Sequence, residues 1–178
     1  GAQQHGNIVS VGFETYCQLL AESIAELRGE KAVILQNISV IIDLNMTAFI
    51  PEEWIPELPH KLKLYRTLAT LENVTHLEEL KQGCINRYGM IPYSALALWR
   101  LTRLRILAGR LGVQKISDKG RVLEISGTFD LDKWQTLSIS THLEKYWKLF
   151  PNKLTAPCGS SDEENLTRLE KFIETVIG

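Results

Sequence analysis

The segment WRLTRLRILAGR, residues 99–110, holds the densest set of groups able to do chemistry. At about 100° per residue, Arg100, Arg103 and Arg110 fall within about 80° of one another on a helix surface. Leu96, Trp99 and Leu107 interleave with them. Guanidinium groups beside an aromatic ring suit phosphates or an acidic protein face. They suit equally well the carboxylates of neighbouring helices, with their stems laid over apolar surface. A net charge of −1 and a pI near 6.5 favour the internal use, since a dedicated duplex binder carries a clear cationic excess. A DNA-facing cluster would add Lys115 and Arg121 to the three arginines. Arg105 points to another side of the helix and is expected to pair internally.

A second constellation lies in FIPEEWIPELPHKLKLYR, residues 49–66, where three prolines and three glutamates surround Trp54. Pro51, Pro56 and Pro59 cannot share one helix interior, because each lacks an N–H and disfavours the α region in the residue before it. Two readings stand. Trp54 is a buried plug in a loop whose prolines lower the entropy of the unfolded chain, or it is an aromatic anchor rimmed by Glu52, Glu53 and Glu57. The plug is the commoner arrangement.

Other chemistry is missing from the sequence. There is no G-x-x-x-x-G-K-[ST] phosphate loop, no G-x-G-x-x-G and no G-x-S-x-G nucleophile elbow. The acids Glu78, Asp162, Glu163 and Glu164 fall at expected helix starts, where the helix dipole favours them. Cys17, Cys84 and Cys158 are odd in number and far apart, and His5, His60, His76 and His142 are scattered, so neither a metal site nor a disulfide framework is expected. No apolar run reaches membrane-spanning length, and the first residues lack the order of a signal peptide. The expectation is a soluble, cytoplasmic chain that does no catalysis itself.

The elements that must carry these groups follow from periodicity. After a polar lead-in, Phe13, Tyr16, Cys17, Leu20, Ile24 and Leu27 predict an amphipathic helix over 12–28. The β-branched run Val40, Ile41, Ile42 predicts a strand within 32–44, with a second at 47–50. Helices are expected over 61–71, from a Thr75–Glu78 capping box to Gly89, and from Pro92 to about residue 111, the last apolar almost all round and therefore central. VQKISDKGRVLEIS predicts a hairpin turning at Asp118-Lys119-Gly120. Residues 131–150 should hold a helix, and 153–157 an edge strand. A second capping box, Ser161 to Glu164, opens a final helix burying Leu166, Leu169, Phe172, Ile173 and Val176. The class is α+β: a small mixed or antiparallel sheet packed with several helices, preceded by the amphipathic linker helix.

Two blocks carry a resemblance. GAQQHGNIVSVGFETYCQLL resembles the end of the motor region in the bacterial transcription-repair coupling factor family, where a Gln-x-Gly turn leads into V-G-F-x-x-Y and a helix. IDLNMTAFIPEEWIPELPHKLKLYRTLA, then LEELKQGCINRYGMIP and LRILAGRLGVQKI, is similar in order and spacing to that family's C-terminal domain. Asn45-Met46-Thr47 and Tyr88 depart mildly from the family pattern.

The resemblance implies a boundary near residue 30, with 1–30 as motor end and linker and 31–178 as a regulatory domain. Gln4 matches the glutamine of the family's translocation motif, whose arginines precede it. The parent protein is implied to be an ATP-driven DNA translocase, with ATP and magnesium held by upstream motor domains and no cofactor in this segment. Its implied partners are RNA polymerase, UvrA and double-stranded DNA. The domain itself would pack on an intramolecular UvrB-like repair-recruiting module and restrain the motor.

Overall fold

An inward-facing apolar residue, repeated from strand to strand, builds the sheet. In the computed structural model, which describes residues 40–128, 132 and 146–177, strand β1 (Ile41–Asp43) buries Ile42 and exposes its two neighbours. It pairs parallel with β2 (Val113–Asp118), and β2 turns back antiparallel into β3 (Val122–Gly127). Beyond β3 lie β5 (Lys153–Pro157) and, at the edge, β4 (Lys148–Phe150), giving the order β1-β2-β3-β5-β4. Registered neighbours Ile42, Ile116, Ile125 and Leu154 form one buried apolar row across four strands. Cross-strand pairs of this kind set register, because a one-residue slip would turn the whole row to solvent.

The described residues also form four helices: α1 (Leu58–Thr70), α2 (Val74–Tyr88), α3 (Tyr93–Arg110) and α4 (Asp162–Ile177). Helix α3 contacts β1, β2 and each of the other three helices. That central position is what a helix apolar almost all round predicts, and its buried side chains run from Ala95 to Ala108. The final helix buries Leu166, Leu169, Phe172, Ile173 and Val176, the stripe expected of it. Trp147 from the β4 approach lies 4.4 Å, centroid to centroid, from Phe172.

Several expectations are corrected. Residues 47–50 form no strand, because their donors go elsewhere: Phe49 N–H donates to Ser94 O (3.1 Å) and Ile50 N–H to the Tyr65 hydroxyl (2.7 Å). Helix α1 begins at Leu58 rather than 61, with Pro59 in the first turn where its missing N–H costs nothing. Leu64 is buried on that helix beside Tyr65 and Leu68, whereas Leu62 is only partly so. Asn73, not Thr75, caps α2, its Oδ1 accepting from Thr75 N–H (2.7 Å) and His76 N–H (3.4 Å). Strand β5 is interior, because β4 adds outside it.

At the start of α4, Glu164 N–H donates to Ser161 Oγ (3.1 Å), but the Glu164 carboxylate accepts from Ser160 rather than closing a reciprocal box. The expected helix 12–28 and most of 131–150 lie outside the described residues.

Gly112 makes the tight exit from α3. Its φ is +80°, and an added Cβ would overlap the Thr128 carbonyl oxygen, which belongs to backbone that cannot swing away. Gly112→Ala is therefore expected to cost about 2–3 kcal/mol, read as a fall in the urea midpoint at unchanged m.

Candidate interaction surface

The arginines of α3 meet the acids of α4. Arg100 grips Glu170 with two nitrogens, Nη2 to Oε1 at 2.5 Å and Nε to Oε2 at 3.3 Å, and reaches Glu163 Oε1 with Nη1 at 2.5 Å. Its Nη2 also lies 3.4 Å from Thr167 Oγ1. Arg103 Nη1 donates to Glu174 Oε1 (2.6 Å), and the Tyr93 hydroxyl donates to Glu163 Oε2 (2.6 Å). Glu163, Thr167, Glu170 and Glu174 recur at helical spacing, so one stripe of α4 faces one stripe of α3 and the helices run side by side in the same direction.

The network's electrostatics agree with its geometry. The hydrogen bond from Tyr93 and the guanidinium of Arg100 hold the Glu163 carboxyl below its ordinary value. The same bond pushes the Tyr93 phenol up. Hydrogen bonding to Glu170 and Glu163 outweighs desolvation at Arg100 and keeps it charged.

A carboxylate depressed in the folded state stabilises the fold above its unfolded value, near 4.5, and that contribution disappears as pH falls through the lower folded value. Glu163 is nearly half exposed, so the effect is screened to under about 1 kcal/mol. Glu163→Gln should flatten that part of the acid limb in a stability–pH profile, with the two proteins converging once the carboxyl is protonated in both folded and unfolded chains.

The arginine strip therefore divides. Arg100 and Arg103 spend their charge on α4, Trp99 and Leu107 are core, and Leu96 is half-buried. Arg110 is exposed at the end of α3 with no ion pair among the described residues. Lys115 sits on β2, and Arg121 is exposed in the hairpin turn. Arg105 is 3 % exposed and donates to Leu68 O (3.0 Å) and Leu71 O (2.7 Å), carbonyls at the end of α1.

The proline-rich segment divides too. Trp54 is buried, edge-on to Tyr88 (5.8 Å) and Trp99 (6.2 Å), and its indole N–H points at Gly89 O (3.4 Å). Trp54 and Ile55 both donate their N–H groups to Pro51 O at 3.1 Å, which closes the turn. Glu52, Glu53 and Glu57 are exposed, Glu57 lying 3.6 Å from His60 Nδ1. Gln4 lies outside the described residues.

Sequence reading missed the groove between α1 and α2. It encloses about 430 Å³ between His60, Lys63 and Thr67 on one helix and Leu80, Gly83 and Arg87 on the other. A Cβ added at Gly83 would meet nothing within 4 Å. A glycine inside a helix is the available signal for such a feature, since it lowers helix stability without filling any space. Burial raises the Cys84 thiol in the groove floor against the opposing charge of Arg87. Among the described residues no cluster of His, Cys, Asp or Glu could hold a metal ion, and no helix is long and apolar enough to cross a membrane.

Residues 44–133, running from the end of β1 through the central helix and hairpin, match the family described as TRCF domain. The chain belongs to the TRCF domain family. A transcription-repair-coupling factor of Staphylococcus haemolyticus (strain JCSC1435) is 36% identical over 126 residues, covering 71% of this chain and 11% of that protein. Its counterpart in Staphylococcus aureus (strain USA300) is 33% identical over 125 residues, 70% of this chain and again 11% of the relative. The chain thus spans about a tenth of the length of the curated relatives it matches. The solved C-terminal domain of a transcription-repair coupling factor shares the TRCF domain's α+β fold at a TM-score of 0.65 and 19% identity, covering 78% of this chain and 92% of that one.

Proposed function

We propose that this chain is the C-terminal regulatory domain of a transcription-repair coupling factor, and that it acts through what it covers rather than through a reaction of its own. The observation that carries this is the family match over residues 44–133, together with relatives of that name at 33–36% identity. The parent protein is then an ATP-driven DNA translocase in the cytoplasm that displaces stalled RNA polymerase and hands the damage to UvrA. ATP and magnesium belong to its upstream motors, and no residue described here is assigned to them. Residues 1–30 finish the motor, with Gln4 in its translocation motif, and residues 31–178 dock on the UvrB-like module and mask its UvrA-binding face.

A brake of this kind needs a rigid surface that docks without an ordering cost. The proline-closed turn over Trp54 and the arginine–glutamate joint between α3 and α4 both supply rigidity. Contact with DNA is the weaker reading, because Arg100 and Arg103, two of the five cations it needs, are taken up by carboxylates. Removing residues 33–178 from the full-length protein should raise UvrA binding in the absence of polymerase by about fivefold or more, the lower end of typical couplings. Unchanged UvrA binding would overturn the masking role.

A further inference from the structure

Two loops lie side by side at one edge of the domain, residues 49–57 and 89–92, the second leading into the first turn of α3. Phe49 N–H donates to Ser94 O, and the Trp54 indole reaches Gly89 O, so the first loop is stitched to the start of the second and to the helix turn that follows it. Gly89, at φ +86° and ψ −168°, adopts a conformation open in practice only to glycine, and Pro92 follows it closely. This stiff backbone displays three large side chains, of which Tyr93 alone is used internally, through its hydroxyl on Glu163. Met90 is 88 % exposed, Tyr93 67 % and Phe49 36 %. Beside them Glu52 and Glu53 make no hydrogen bond or ion pair with any described residue. The cations that flank Met90 and Tyr93 in the chain are turned elsewhere: Arg87 lies over the Tyr88 ring at 5.2 Å and Arg100 is held by Glu163 and Glu170.

We propose that this edge, with Phe49, Met90 and Tyr93 as anchors and Glu52 and Glu53 as an acidic rim, docks a basic, apolar surface of the same polypeptide outside this chain. The inference rests on the regulatory reading above and adds to it the face that docks and the chemistry of what it meets. Charge complementarity sets that chemistry: unpaired carboxylates around apolar anchors favour lysine or arginine around an apolar pocket and repel an acidic surface. The patch also points to a tethered occupant. Three anchors fall well short of the ~1,200 Å² that a stable interface between separate proteins buries. A covalently linked module, present at an effective concentration on the order of millimolar, can still occupy so small a site. The matched relatives are long enough to supply one, since the chain accounts for 11% of their length.

The test uses the full-length protein without polymerase and compares ATP turnover in four forms: the deletion of residues 33–178, Glu52→Lys/Glu53→Lys, Met90→Glu, and Lys119→Glu at the hairpin turn as a surface control. The proposal expects the rim and anchor variants each to raise turnover about fivefold, approaching the deletion, with the control unchanged. These positions are exposed, so the melting temperature of the isolated chain should stay put, and two independent variants guard against a local folding defect. If the deletion raises turnover and neither variant does, or the control rises equally, the docking face is wrong while the regulatory reading stands. If the deletion itself raises nothing, that reading falls and takes this face with it.

Discussion

Trp54→Ala should cost about 3–5 kcal/mol and lower the melting temperature of the chain by roughly 10–20 °C. The residue is 8 % exposed and lies edge-on to two further aromatic rings, so truncation empties a space that the proline-closed turn cannot collapse into. Edge-to-face pairs add to the loss beyond simple area burial. Trp54→Phe separates the plug from its hydrogen bond. At 3.4 Å the indole contact to Gly89 O is weak, so phenylalanine should recover most of the stability. Equal losses for Ala and Phe would mean that the hydrogen bond, and not the packing, holds the loop. A fully stable alanine variant would mean that Trp54 is not a plug at all.

Arg105→Met should cost about 2–4 kcal/mol, although it replaces a charge by an apolar chain of similar length. The last carbonyls of any helix lack intrahelical partners, and here Leu68 O and Leu71 O receive the Arg105 guanidinium from a neighbouring helix. Methionine leaves both acceptors behind in a mostly buried site, at about 1–3 kcal/mol each. Removing a desolvated guanidinium offsets part of that, which sets the range below the simple sum. The check is a urea titration, where the midpoint should fall at unchanged slope. A midpoint within error of the parent would show that α1 does not depend on this cap.

These two residues also show what could be read in advance. The final helix, the central helix and the hairpin were legible because periodicity and turn chemistry act locally, and Ile116 or Leu169 declares its face within a few residues. The internal direction of Arg105 followed from its angle on the wheel. Its acceptors did not, because they belong to a helix 34 or more positions away in the chain.

The strand expected at 47–50 failed for a related reason. Its residues have the right composition, yet Ile50 N–H finds the Tyr65 hydroxyl rather than a neighbouring strand. Thr75 lost the cap to Asn73 because both types can accept at a helix start and only backbone geometry chooses between them.

At the candidate surface, the arginines were visible but their fate was not. Net charge favoured internal pairing. The matching stripe of Glu163, Glu170 and Glu174 became recognisable only once α3 and α4 lay together. Met90 and Tyr93 gave no signal at all, because exposure of an apolar side chain is a property of the folded surface.

A domain that restrains a motor must change that motor's output when it is taken away. The decisive measurement is the steady-state ATP turnover of the full-length protein, with and without residues 33–178, in the absence of RNA polymerase. Release of the restraint predicts a rise of about fivefold or more in the shortened protein. Turnover that stays level or falls would contradict the account.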